Sequence, residues 1–234
     1  MALPKINNVP KYKLTVPSSK KQITYRPFFV KEQKVLLIAL ESQDEDQILR
    51  ATTDMIASCI DENLNVSKMP TFDVEYIFTQ IRSKSVGETS KINIACSSCK
   101  EYNQVEVMLD QIKIDIPAKS NEIKLNDSYT VIMKYPSYSD VVKIKSKRGT
   151  ITSTMYESVL MSLDKLKTPD EIISFAEEPE DEINNFLESL TSDQFQQLVR
   201  FVDNTPKLKH DVKFTCSNCN HNNKKTLQGL QDFF

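Results

Sequence analysis

Four cysteines in two C-x-x-C motifs are the residues of this sequence with the clearest chemistry. Cys96 and Cys99 form the first motif, and Cys216 and Cys219 form the second. Two such motifs supply four thiolates, which is the ligand set of a closed tetrahedral zinc site. One C-x-x-C would be weak evidence, but two in matching contexts are a stronger signal. The pattern therefore predicts one structural zinc ion, Zn2+, held by all four cysteines.

The two motifs belong to an internal repeat of a β-hairpin. Each motif follows a short alternating apolar run, and an asparagine comes four positions after its second cysteine, at Asn103 and Asn223. Alternation on both sides of a turn predicts two strands, so each C-x-x-C is expected at a hairpin tip. Because 116 residues separate Cys99 from Cys216, the metal would tie the end of the chain to its middle.

Three other states of these cysteines stay open at this point: a thioredoxin-like redox pair, two disulfides, or free thiols. A redox C-x-x-C needs a helix N-terminus to lower the thiol pKa, whereas both motifs lie between expected strands. The fifth cysteine, Cys59, falls on the apolar stripe of an expected helix and is interpreted as a core residue. His221 could replace one sulfur, but with four thiolates available it is expected to be an exposed loop residue.

Composition limits the class of protein. The 234 residues suffice for a sizeable core, and the net charge of −2 gives no bulk attraction to nucleic acid or to anionic membrane. No apolar run approaches the ~20 residues needed to span a bilayer, and the N-terminus lacks the apolar segment of a secretory signal. Three dispersed glycines exclude the glycine-rich phosphate loops. With only two histidines, the sequence shows no set of residues typical of an active site, so no enzyme is expected.

The N-terminal part of the chain is expected to combine a hairpin with helices. Residues 1–10 predict an extended arm, and 11–27 predict a hairpin whose turn is supplied by Pro and Ser. Helical periodicity begins at Val30 and continues in two further helices, over 44–60 and from Thr71.

The middle of the chain is expected to be β-rich and the part after it helical. Alternating runs at 112–116, 122–125 and 129–135 predict strands. Helices are then expected within 137–207, where Thr168-Pro169-Asp170-Glu171 and Thr191 with Gln194 are typical of helix starts.

These elements predict an α+β fold in three regions. An N-terminal region over 1–85 holds the arm, the hairpin and the first helices. A zinc-ribbon-like β unit combines 86–136 with 208–234, and a helical insertion over 137–207 separates its two halves. The metal-bound unit would hold this insertion at both ends.

Charged clusters have simple interpretations. The acidic run 177–182 is interpreted as a connector between helices that also places negative charge at a helix N-terminus. Lysines beside the second hairpin keep open a zinc-ribbon nucleic-acid-binding protein as the alternative function: Lys207, Lys209, Lys224 and Lys225. The densest basic run has no interleaved aromatic residues and is expected to be a solvated face: Lys143, Lys145, Lys147 and Arg148.

Several segments resemble the baseplate hub proteins of T4-like bacteriophages. The first is Tyr25–Leu37, with the sequence YRPFFVKEQKVLL. Phe72–Phe78 and Ile81–Glu88 lead directly into the first C-x-x-C, and Met133–Ser137 is the last segment. The similarity covers residues 12 to about 140 well and the helical block less specifically.

The resemblance implies a non-enzymatic phage tail protein, either a component of the central baseplate hub of a contractile tail or a factor for its assembly. Such a protein would contact other baseplate hub and tail proteins, could form a homo-oligomer, and would bind neither membrane nor nucleic acid. It would be located in the virion, at the tail baseplate, after assembly in the host cytoplasm, a reducing compartment that suits unpaired cysteines. A thiol oxidoreductase is a further alternative that the residues leave open.

Overall fold

The computed structural model describes residues 9–112, 114, 116, 120–146, 150–229 and 232. Contacts divide the chain into two compact units, of which the first combines 1–116 with 207–234 and the second comprises 117–206. The second unit is therefore an insertion between two parts of the first.

Helices and antiparallel strands make up both units. The helices in the described residues are α1 (Val30–Ser42), α2 (Glu45–Cys59), α3 (Thr71–Val86), α4 (Tyr138–Ser146), α5 (Ile151–Ser162), α6 (Glu180–Glu188) and α7 (Ser192–Asp203). The strands are β1 (Tyr12–Thr15), β2 (Gln22–Tyr25), β3 (Thr89–Ala95), β4 (Tyr102–Met108), β5 (Glu122–Lys124), β6 (Thr130–Met133), β7 (Leu163–Lys167), β8 (Ile172–Ser174), β9 (Lys209–Thr215) and β10 (Asn222–Gln228).

The N-terminal hairpin and the first three helices agree with the prediction. β1 pairs with β2, and the turn between them is held by buried Asp73 of α3, whose carboxylate accepts hydrogen bonds from the backbone N–H and hydroxyl of Ser18. Asp44 caps α2 by accepting hydrogen bonds from the N–H groups of Asp46 and Gln47. The predicted arm lies mostly outside the described residues.

Arg26 joins this hairpin to α1 and α2. Its guanidinium forms an ion pair with the buried Glu32 of α1 at 3.0 Å and donates to the Ser58 carbonyl of α2 at 2.8 Å. It also lies 4.3 Å from the centre of the Phe29 ring. The Glu32 carboxylate in turn accepts from the Phe29 N–H, so the third residue of α1 caps the N-terminus of its own helix. Because a buried carboxylate needs such partners, these contacts fix α1 in place.

The two C-x-x-C hairpins are built alike and pack on each other. β3 pairs with β4 and β9 pairs with β10, and each pair is a separate two-stranded sheet. A shared apolar core draws its side chains from both hairpins and the residues next to them: Ile94, Val107, Leu109, Ile112, Leu208, Val212 and Leu227. The middle and the end of the chain therefore meet through a common core.

The second unit contains a four-stranded antiparallel sheet in the order β5-β6-β7-β8, with helices α4 to α7. Thr191 and Gln194 form the predicted capping box at the start of α7, each accepting a hydrogen bond from the backbone N–H of the other. The core of the unit combines sheet and helix residues: Val131, Met133, Val159, Leu163, Phe175, Leu187, Leu198 and Val199.

The helix start predicted at Thr168–Glu171 is wrong. The Thr168 hydroxyl accepts from the N–H groups of Asp170 and Glu171, and the Thr168 N–H donates to the Glu171 carbonyl at 2.9 Å. These bonds close the turn between β7 and β8. A hydroxyl that accepts from backbone N–H groups two and three positions later serves a tight turn as well as a helix cap. The β-branched Ile172 and Ile173 that follow continue as a strand.

The predicted regions also differ from the observed units. Residues 86–136 were expected to belong with the C-x-x-C hairpins, and 137–207 to be helical. Instead, β6 pairs with β7, which brings β5 and β6 into the second unit and adds two strands to the helical block. Residues 112, 114 and 116 lie in no strand, and the neighbouring 113 and 115 are outside the described residues.

Cys59 is a core residue, as predicted. Its side chain is 1% exposed, and burial raises the pKa of the thiol to about 11. A thiol with this pKa is neutral at physiological pH.

We expect Cys59→Ala to lower the free energy of unfolding by about 1–2 kcal/mol, because it leaves a small cavity in the core. The metal content should not change. Denaturant unfolding and elemental analysis measure the two effects, and Ser58→Ala, on the exposed face of α2, is the matched control. Loss of metal from Cys59→Ala would contradict the assignment of this residue to the core.

Candidate metal centre

The four predicted cysteines meet at one point in the first unit. The sulfur atoms of Cys96, Cys99, Cys216 and Cys219 all lie within 4.8 Å of one another. The shortest distances cross between the hairpins: 3.7 Å from Cys96 to Cys219, and 3.6 Å from Cys99 to Cys216. Cys96 and Cys216 are buried, whereas Cys99 and Cys219 are exposed.

Each C-x-x-C occupies a tight turn that is closed by hydrogen bonds to the backbone N–H and carbonyl of its first cysteine. In the first hairpin, Cys96 N–H donates to the Glu101 carbonyl at 2.8 Å, and Lys100 N–H donates to the Cys96 carbonyl at 3.1 Å. Lys100 has a φ of 65°, in the left-handed region. The second hairpin repeats both bonds at Cys216, and Asn220 takes the left-handed position with a φ of 57°. The two turns therefore present their sulfurs in the same way.

Asn103 links the first hairpin to the second. Its side-chain oxygen accepts hydrogen bonds from the backbone N–H and the hydroxyl of Ser217, at 2.9 and 3.1 Å. Its amide nitrogen lies 3.6 Å from the Cys216 sulfur and donates to the Glu101 carbonyl in its own hairpin. The side chain is buried, so these bonds satisfy it where water does not reach.

Asn223 makes the reciprocal set of contacts from the second hairpin to the first. Its oxygen accepts from the N–H and the hydroxyl of Ser97, both at 2.9 Å, and its amide nitrogen lies 3.5 Å from the Cys96 sulfur. The two hairpins are thus joined by a pair of equivalent asparagine bridges. Each bridge both holds the other hairpin and donates to its buried sulfur.

The electrostatics of the cluster favour a bound cation. Donation from the Cys99 N–H lowers the pKa of the Cys96 thiol to about 6, with help from Ser98 and Asn223. Donation from the Cys219 N–H likewise lowers the pKa of Cys216. At Cys219 a bond from the His221 backbone lowers the pKa, but the three neighbouring thiols and desolvation outweigh it and raise the pKa to about 11. Four thiolates cannot share this space without a compensating positive charge.

The donor set and spacing fit a tetrahedral metal ion. Four thiolates at about 2.3 Å from zinc have sulfurs roughly 3.8 Å apart, close to the distances across the hairpins. These distances are well above the ~2.05 Å of a disulfide bond, and all five cysteines are free. A soft, closed set of four sulfurs suits zinc, and iron–sulfur chemistry uses the same donors.

A family model described as T4 bacteriophage base plate protein matches residues 9–234. The chain belongs to this family. The matched residues include both hairpins and the insertion between them. No curated protein and no solved structure matches the chain.

Family membership makes this chain a structural protein of the phage tail, and the resemblance of its sequence to baseplate proteins of T4-like phages is confirmed. The base plate protein is located in the virion, at the tail baseplate. Within the described residues, none of its helices combines the length and apolar character needed to cross a membrane.

The cluster of metal-ligating atoms contains only the four cysteines among the described residues, and the other residues interpreted from the sequence are not part of it. His221 is exposed and is not among the clustered side chains, although its carbonyl accepts from Cys216 N–H. The acidic run places negative charge at a helix N-terminus, as predicted, because α6 begins at Glu180. It does not connect two helices, because the element before it is the strand β8. Lys143 is exposed, and the side chains of Lys145, Lys147 and Arg148 are outside the described residues.

The roles of Asn103 and Asn223 could not be inferred from the sequence, although their positions could. Both hairpins of the base plate protein share the pattern C-S-x-C-x-x-x-N, in which serine and asparagine are as regular as the cysteines. The repeat places each asparagine at an equivalent site. That each one reaches the opposite hairpin became visible only once the two hairpins were seen together.

We expect Asn103→Ala to destabilise the base plate protein by about 1–3 kcal/mol, because the Ser217 N–H and hydroxyl lose their acceptor in a partly buried place. Denaturant unfolding measures the change. Asn93→Ala, at an exposed position of the same hairpin, is the control and should unfold as the unmodified protein does. Equal stability of the two variants would show that the bridge contributes nothing.

Proposed function

We propose that this protein is a non-enzymatic component or assembly factor of the central baseplate hub in a contractile tail. It acts through contacts with other hub and tail proteins, and a structural zinc bound by Cys96, Cys99, Cys216 and Cys219 holds its contact surface rigid. The hairpins and their metal then form a zinc-ribbon-like β unit.

One observation carries the zinc assignment: four sulfurs from distant parts of the chain converge at distances suited to one tetrahedral ion. The two asparagine bridges support it further. Hydrogen bonds from protein groups to ligating atoms orient the ligands of metal sites and tune their charge, which is what Asn103 and Asn223 do for the buried sulfurs.

A rigid pair of hairpins is suited to docking. Tyr102 and Met108, at the two ends of β4, are 70% and 42% exposed. Aromatic and methionine side chains are enriched at protein interfaces. Side chains on a metal-clamped hairpin lose little conformational freedom on binding, so more of the contact energy appears as affinity.

Other observations support a structural role over the two alternatives. A thiol oxidoreductase would place its C-x-x-C at a helix N-terminus, whereas here both motifs lie in hairpin turns and their closest sulfurs belong to opposite hairpins. For nucleic-acid binding, Lys224 beside the second motif is engaged with Asp211 at 2.8 Å, which reduces the charge available to phosphates.

We expect one zinc per chain and loss of that zinc in Cys219→Ser. Because the metal site forms only in the folded chain, its loss should also loosen the first hairpin, more than 100 residues away in sequence. Elemental analysis measures the metal, and hydrogen exchange over 90–110 measures the loosening.

Ser58→Ala is the control, since Ser58 is exposed and outside the cluster, so that this change should leave both the metal and exchange over 90–110 unchanged. Unchanged protection over 90–110 in Cys219→Ser would mean that the two motifs do not share a metal. If the native protein contains no metal and its four clustered thiols react freely, the proposed zinc site is wrong.

The hub role requires an assembly experiment. In a phage lacking this protein, we expect the peripheral parts of the baseplate to form while complete hubs and attached tails do not, and the unmodified protein to restore both. Electron microscopy and mass spectrometry of purified particles and subassemblies measure the outcome, including whether the protein stays in the virion. Complete hubs in its absence would refute the proposal.

A further inference from the structure

The solvent-exposed side of α1, all around its buried stripe, is unusually apolar. Among the described residues, ten large hydrophobic side chains are strongly exposed, and five of them lie on this one helix. Solvent would ordinarily meet polar side chains on such a face. The five exposed fractions are Val30 80%, Val35 58%, Leu37 51%, Ile38 55% and Leu40 49%.

The opposite face of α1 already has its packing partners. Leu36 and Ala39 are buried, and Glu32 is buried in its ion pair with Arg26. Helix α1 packs against α2. The core-facing side of this helix is thus already packed, and the exposed apolar side chains form a second apolar surface on it.

Residues on this second surface are arranged symmetrically about the point between Leu37 and Ile38. Moving outward from that point, Lys34 corresponds to Glu41, and these two residues lie on the same side of the helix as the gap between Leu37 and Ile38. Apolar Val35 corresponds to apolar Leu40, and these two side chains lie on opposite flanks of the exposed side. A two-fold axis through this point, perpendicular to the helix, would place the α1 helices of two chains antiparallel. Each residue would then lie at the level of its counterpart in the other copy.

The charges make this arrangement selective. Lys34 and Glu41 are two helical turns apart, so they lie on the same side of α1, about 10 Å apart along its axis. Both are exposed, with Leu37 and Ile38 between them. In an antiparallel pair, each Lys34 meets Glu41 of the other copy, whereas a parallel pair would oppose like charges.

We propose that this face of α1 is a self-docking surface, on which α1 of a second copy of this chain packs antiparallel across a two-fold axis between Leu37 and Ile38. The symmetric contact has an apolar centre and two ion pairs at its ends, the pattern of an isologous interface. This inference goes beyond the hub role and the metal, and neither is needed for it.

The expected dimer is weak. One helix pair buries less than the ~1,600 Å² of a standard stable interface, so a micromolar dissociation constant is expected. Sedimentation equilibrium of the full chain, from low micromolar to several hundred micromolar, should show a reversible monomer–dimer equilibrium.

Charge reversal tests the antiparallel arrangement. Lys34→Glu and Glu41→Lys each turn two attractive pairs into two repulsive ones, and each should weaken the dimer about tenfold. The doubly substituted chain, with both changes, restores opposite charges at both ends and should dimerise as the unmodified chain does. Asp54→Lys, at an exposed position of α2, is the control for a charge change elsewhere and should have no effect.

The apolar centre is tested by Leu37→Ser, which removes two buried leucines from a symmetric contact and should weaken the dimer roughly a hundredfold. Ile172→Ser is the matched control, because Ile172 is 61% exposed and belongs to β8 of the second unit. Since both side chains are exposed in one chain, circular dichroism and thermal unfolding should show the fold unchanged in both variants.

A monomer throughout the concentration range would overturn the proposal and leave the apolar face to another baseplate protein. A dimer that is insensitive to Leu37→Ser would overturn it as well, since the contact would lie elsewhere. So would single charge reversals without effect, or failure of the double reversal to restore association, because either result excludes the antiparallel pairing.

Discussion

The first unit depends on the junction of two distant hairpins. Bringing Cys99 next to Cys216 closes a loop of more than 100 residues, which costs about 4–5 kcal/mol of chain entropy. A shared apolar core and the two asparagine bridges oppose this cost, and a bound metal would add to them. The bridges also determine how the two hairpins are positioned against each other, because hydrophobic burial is non-directional and does not specify one register.

The equivalence of the two bridges has a structural cause. Both hairpins carry the same pattern C-S-x-C-x-x-x-N, and both turns hold a left-handed residue after the second cysteine. Two like elements that face each other can satisfy each other's polar groups reciprocally, so that each asparagine is both acceptor for a serine and donor to a sulfur. Each buried asparagine needs the serine of the opposite hairpin as its donor, and each serine needs that asparagine as its acceptor, which ties the two copies of the repeat together.

The sequence predicted those parts of the structure in which local pattern and tertiary context agree. The strands of the two C-x-x-C hairpins and helices α1 to α3 are of this kind, because periodicity and turn residues determine them locally. The meeting of the four cysteines was inferred from the repeat of the motif, not from a local pattern. Prediction failed where one pattern serves two structures. Thr168 accepts from the same backbone positions in a tight turn as in a helix cap, and β7 next to it decides the outcome. The prediction of the boundary between the two units failed for a related reason. No local signal in β6 shows that its partner is β7 rather than the preceding hairpin.

An exposed apolar helix is useful as a contact surface only if the helix is held in place. Glu32 is 8% exposed and bonded to Arg26, which also holds the end of α2 and stacks on Phe29. The hydrogen bonds to Glu32 outweigh the effect of its burial and lower the pKa of its carboxyl, so the pair stays charged at physiological pH. Helix α1 is therefore already oriented before a partner binds, and little conformational entropy is lost on binding. The contacts of Arg26, Phe29 and Glu32 therefore fix the start of the helix that carries the exposed apolar residues.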